Sequence, residues 1–83
     1  MTTKLPLSSL EVGTSCVIDS IHSKGTMRRR LLDLGFCEGS RVKCIQYSPA
    51  GDPIAYMIRG TVIALRKEDA QNIIVSKGGD LWD

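Results

Sequence analysis

One stretch of this chain has the periodicity of a helix, and it is short: Met27-Arg28-Arg29-Arg30-Leu31-Leu32-Asp33-Leu34, followed by Gly35 and Phe36. Met27, Leu31 and Leu34 recur at i, i+4 and i+7 and are expected on one inward face, with Arg29, Arg30 and Asp33 on the other. Thr26 is placed to cap the first turn. Gly35 is placed to stop the helix in the left-handed conformation, folding Phe36 back onto Leu31 as in a Schellman motif. The three arginines then sit in the first turn, where the positive end of the helix dipole disfavours each by about 0.3–1 kcal/mol before screening. Two explanations stand: an ordinary solvated face, or a docking surface for an acidic partner.

The sequence around this helix reads as strand and turn. Residues 1–12 carry Leu5, Leu7 and Leu10 and are read as a strap with one short turn. Ser15–His22 is β-rich, with the buried face left open between Cys16/Ile18 and Val17/Ile21. After a turn at Glu38-Gly39-Ser40, Arg41–Ser48 favours strand through Val42, Ile45 and Tyr47. Ser48-Pro49-Ala50-Gly51-Asp52-Pro53 must then turn. Ile54–Arg59 resumes as strand, Arg59-Gly60 makes a tight hairpin, and Thr61–Arg66 returns. Lys67–Ala70 is a single helical turn and Ile73–Val75 a last short strand. The expectation is an all-β domain of about five short strands with one helix inserted after the first. Strands this short favour a small closed barrel over a βαβ sheet, and closure would leave no open edge. A single domain spans residues 1–83, with its core over 7–75 and a mobile tail over 76–83.

Charge is localised. Residues 24–43 hold six cationic and two acidic side chains, while the remainder is slightly acidic and the whole chain carries +2. That is a weak footprint for a nucleic-acid binder, and Phe36, Tyr47, Tyr56 and Trp82 are not spaced as a stacking platform. No apolar run approaches the length of a membrane span, so the chain is read as not membrane-embedded and without an export signal. Three cysteines and no C-x-x-C pair suit a reducing cytoplasm better than a disulfide framework. Neither G-x-x-x-x-G-K-[ST] nor H-E-x-x-H occurs, so GTP hydrolysis by this chain is not expected. His22 with Cys16, Cys37 and Cys44 offers the donor types of a Cys₃His site, but their spacings of 6, 15 and 7 match no established knuckle. Cys16 and Cys44 are read as packed, Cys37 as the most exposed thiol. Trp82 is read as part of a frayed terminus, with an anchor for a partner or a second copy as the alternative.

The order of motifs resembles the FeoA-like domain family. Leu7-x-x-Leu10-x-x-Gly13 is similar to its opening, Arg29 to Phe36 to its helix and turn, and Gly39-Ser40-Arg41-Val42 to its next strand. Gly51-Asp52-Pro53-Ile54 and Ala64 to Ala70 with Ile73 and Val75 complete the likeness over residues 7–75. Glu38 and Ala50 depart from the family's usual proline and leucine. The resemblance implies an SH3-like β-barrel and a noncatalytic cytoplasmic accessory of bacterial ferrous iron uptake that acts with the membrane transporter FeoB. With the local charge, it makes Lys24, Arg28, Arg29 and Arg30 the candidate partner-binding residues. No cofactor is assigned, nucleic acid is not expected as a partner, and self-association is left open. The alternatives are a transition-metal (iron or zinc) binder and a nucleic-acid-binding barrel.

Overall fold

A computed structural model describes residues 2–78. Six strands form one antiparallel sheet: β1 (Thr2–Pro6), β2 (Ser15–Ile21), β3 (Arg41–Tyr47), β4 (Ile54–Ile58), β5 (Thr61–Leu65) and β6 (Ile73–Gly78). Their spatial order is β1-β6-β2-β3-β4-β5. A 3₁₀ turn at Leu7–Ser9 follows β1, α1 (Gly25–Leu34) lies between β2 and β3, and α2 (Lys67–Ala70) joins β5 to β6. The curled sheet wraps one core as an SH3-like barrel.

Several expectations change. The leading strap is a strand, β1, paired with β6 from Thr2 opposite Gly78 to Pro6 opposite Ile74. Residues 76–78 therefore belong to the sheet, and the helix follows the second strand, not the first. Residues 79–83, including Trp82, lie outside the described residues. The barrel is also not closed by hydrogen bonds, since β1 and β5 end the sheet without pairing with each other.

The core is set by alternation and by where alternation is broken. In β2, Ile18 faces Val75 but Ser20 faces Ile74, so Asp19 is the extra residue of a β-bulge. The shift turns Ile21 inward beside Cys16 and Ile18, and all three are buried. Asp19 meets Lys4 at 3.3 Å on the surface. A second irregularity in β3 falls between Cys44 and Gln46. The β4–β5 hairpin turns through Arg59 and Gly60 at φ 51° and 80°, the two positive torsions of a type I′ turn. Tyr56 crosses the core and donates its hydroxyl to the Leu7 carbonyl at 3.1 Å. Tyr47 donates to the Leu10 carbonyl at 2.7 Å, so both tyrosines fasten the turn after β1 to the sheet. On the far side, Asp52 Oδ1 accepts the Lys67 N–H at the start of α2 at 2.9 Å.

Burial pushes the thiols of Cys16 and Cys44 above their ordinary 9.0, with Lys77 partly offsetting the rise at Cys16. The Tyr56 hydroxyl is pushed up from 10.0 by burial first, then by Cys44 and Tyr47. Each group stays protonated in the folded chain at a pH where the unfolded chain has released its proton. The stability linked to them is thus complete well below the unfolded values and is lost as pH rises from those values through the higher folded ones, with a slope of up to about 1.4 kcal/mol per pH unit for each group within that window. Urea midpoints measured from pH 7 to 11 should be level up to about pH 8.5 and fall steeply above it.

Candidate functional site

α1 begins two residues earlier than its apolar periodicity indicates. Gly25 heads it with φ +63°, a conformation that L side chains rarely adopt, and Lys24 precedes it in extended conformation with no side-chain cap. Thr26 therefore lies inside the first turn and does not cap it. The same shift moves Arg28, Arg29 and Arg30 into the second turn, where the dipole penalty has largely decayed. The helix ends as its sequence indicates. Gly35 adopts φ +105°. Its N–H reaches the Leu32 carbonyl at 3.0 Å, and the Phe36 N–H reaches that of Leu31 at 2.9 Å, the two bonds of a Schellman stop. Leu31 and Phe36 are both fully buried.

Successive helical residues fan out around the axis, and the candidate cations separate accordingly. Arg28 Nη1 donates to the Ile21 carbonyl at 2.9 Å, tying α1 to the end of β2. Part of its role is therefore structural. Arg29 is exposed beside a shallow depression that Gly25, Arg28, Leu32 and Asp33 also line, so Arg28 and Arg29 share one side of the helix. Arg30 is exposed on another side, over a groove between α1 and β5. Lys24 is exposed at the head of the helix. Of the expected inward stripe, Leu31 is buried and Met27 half-buried, but Leu34 is 37% exposed because it borders the same groove.

Sequence reasoning missed this groove. Its sides are α1 and the free edge of β5, and Arg66 and Asp69 lie along it with Arg30. The signal available was Val62-Ile63-Ala64-Leu65, an apolar strand without an outward charge. A separate cationic surface gathers Arg41, Lys43 and Arg59 around Met57 on the sheet. Arg59 passes over Gly35 and donates from Nη2 to Cys37 Sγ at 3.5 Å, while Cys37 Sγ lies 3.0 Å from Ser40 Oγ.

The metal-donor residues do not converge. Cys16 and Cys44 are buried in the core, Cys37 is half-buried, and His22 is exposed with Nε2 3.0 Å from Ser20 Oγ. No group of three or more His, Cys, Asp or Glu suited to a metal ion occurs among the described residues. No helix among them is long and apolar enough to cross a membrane.

The model of the FeoA domain matches residues 5–77, nearly the whole described chain. The chain belongs to the FeoA domain family. A fusion of Fe(2+) transport protein A with the Fe(2+) transporter FeoB from Porphyromonas gingivalis is 38% identical over 69 residues, which are 83% of this chain and 8% of that protein. Iron(II) transport protein A from Clostridium thermocellum superposes with a TM-score of 0.86 at 33% identity, covering 90% of this chain and 46% of that one. FeoA from Stenotrophomonas maltophilia, a prokaryotic SH3 domain protein solved with zinc, gives 0.75 at 33% identity over 86% and 88% of the two chains. Two of these relatives are ferrous iron transport proteins, and this chain spans only a small part of the Porphyromonas fusion.

Proposed function

We propose that this FeoA domain is a noncatalytic cytoplasmic accessory of ferrous iron uptake, which docks through α1 on acidic surface of a FeoB-like transporter. One observation carries the reading: in the Porphyromonas relative, a segment similar to this chain is joined to FeoB in a single polypeptide. Two segments fused in this way act at one place. The local surface supports it, because the side chains of Arg29 and Arg30 are exposed and make no hydrogen bond or ion pair among the described residues. Arg28 is held by the Ile21 carbonyl and contributes orientation as well as charge. Ferrous iron is the cargo of the transporter in this reading and needs no site on the accessory.

The test is binding to the cytoplasmic region of a FeoB-like transporter. Replacing both Arg29 and Arg30 by Gln should weaken association about tenfold at low salt, as expected for two solvent-screened charge contacts, and should flatten its dependence on ionic strength. Thermal stability should be unchanged. Equal affinity of the double variant and the parent at low salt would remove α1 from the interface.

A further inference from the structure

β5 is an edge strand whose outer side is unpaired among the described residues. Its inner side is bonded to β4 along its whole length, from Ile58 opposite Thr61 to Ile54 opposite Leu65. Because Arg59 and Gly60 form a two-residue turn, Ile58 and Thr61 close the hairpin as a mutually hydrogen-bonded pair. Alternation along the ladder then aims the N–H and C=O groups of Thr61, Ile63 and Leu65 at β4 and those of Val62 and Ala64 away from the sheet. No backbone group among the described residues meets them.

Proteins usually blunt such an edge with charge, proline, a bulge or a covering element. Thr61-Val62-Ile63-Ala64-Leu65 has no charge and no proline, and its register with β4 is uninterrupted. α1 runs beside this edge without covering it, leaving a groove of about 460 Å³. The apolar lining includes buried Leu31 and half-buried Met27 and Ile63, while Leu34 and Val62 remain 37% and 56% exposed. Arg30 and Arg66 lie along the same groove, with Asp69 as its one acidic side chain. Neither arginine's side chain makes a hydrogen bond or ion pair among the described residues.

We propose that this groove receives an extended acidic and apolar segment of the partner protein, which joins β5 as a seventh strand. A strand presents alternate side chains to opposite faces. One set enters between Met27, Leu34 and Ile63, carboxylates along the segment meet Arg30 and Arg66, and its backbone satisfies Val62 and Ala64. Strand addition to a free edge draws affinity from main-chain bonds and selectivity from the adjoining pocket. The cationic lining selects against a basic segment. This inference rests on the proposed transporter association and gives it a binding mode.

The probe is the cytoplasmic region of a FeoB-like transporter, added to the intact chain while amide exchange is followed residue by residue. The exchange of Val62 and Ala64 should slow on complex formation. Val62→Pro removes an N–H that bonds nothing in the free chain, a substitution that edge strands accept. It should weaken binding about tenfold, the equivalent of one main-chain hydrogen bond, whereas Val62→Thr keeps the donor and should bind nearly as the parent does. A complex in which both amides exchange as fast as in the free chain would overturn strand addition while leaving the transporter association standing. Absence of any complex would overturn both. Protection of the same amides in the isolated chain, growing with its concentration, would assign the edge to a second copy and overturn the partner segment.

Discussion

Phe36→Ala is expected to cost about 3–5 kcal/mol, enough to unfold much of a domain this small at 37 °C. Phe36 is fully buried, and it is carried into the core by the Schellman stop, so its packing against Leu31 and the direction in which the chain leaves α1 are one event. The truncation removes apolar contact and leaves a cavity that the surrounding strands, tied by their ladders, are poorly able to close. Gly35→Ala probes the same device from the backbone. An alanine at φ +105° is strained by about 1–2 kcal/mol, and its Cβ would stand 3.2 Å from Arg59 Cδ, displacing the side chain that reaches Cys37. Chemical denaturation should rank the variants in that order.

Charge reversal at Arg29 and Arg30 together should lower affinity for the transporter's cytoplasmic region about a hundredfold, since attraction is replaced by repulsion at close range. The same change should leave the fold intact. Both side chains are exposed in the second turn of α1, where the helix dipole acts only weakly, and neither packs into the core. Loss of binding with an unchanged melting temperature is therefore the expected pair of results. Arg28→Glu differs, because it breaks the bond to the Ile21 carbonyl and loosens the joint between β2 and α1.

What was legible in the sequence was local. The stop at Gly35 and Phe36, the turn at Arg59 and Gly60, and the single turn of α2 each depend on a few neighbouring residues, and all three are present. What escaped was set by distant contacts or by a broken period. β1 exists because β6 pairs with it, and Pro6 with the absence of alternation hid it. Ile21 is buried only because the bulge at Asp19 shifts the phase of β2. The start of α1 was misplaced because a glycine torsion, not a capping side chain, sets it. Lys24, Arg28, Arg29 and Arg30 read as one cluster in sequence, but helical rotation divides them. Arg28 turns to the end of β2 and Arg30 to the groove beside β5. That groove is made by two segments about thirty residues apart, so no local pattern announces it.

Calorimetric titration of this FeoA domain into the cytoplasmic region of a FeoB-like transporter, at low and at high salt, tests the account most directly. A saturable complex that weakens steeply as salt rises is predicted. No complex at low salt, or one indifferent to salt, would contradict docking through the cationic helix.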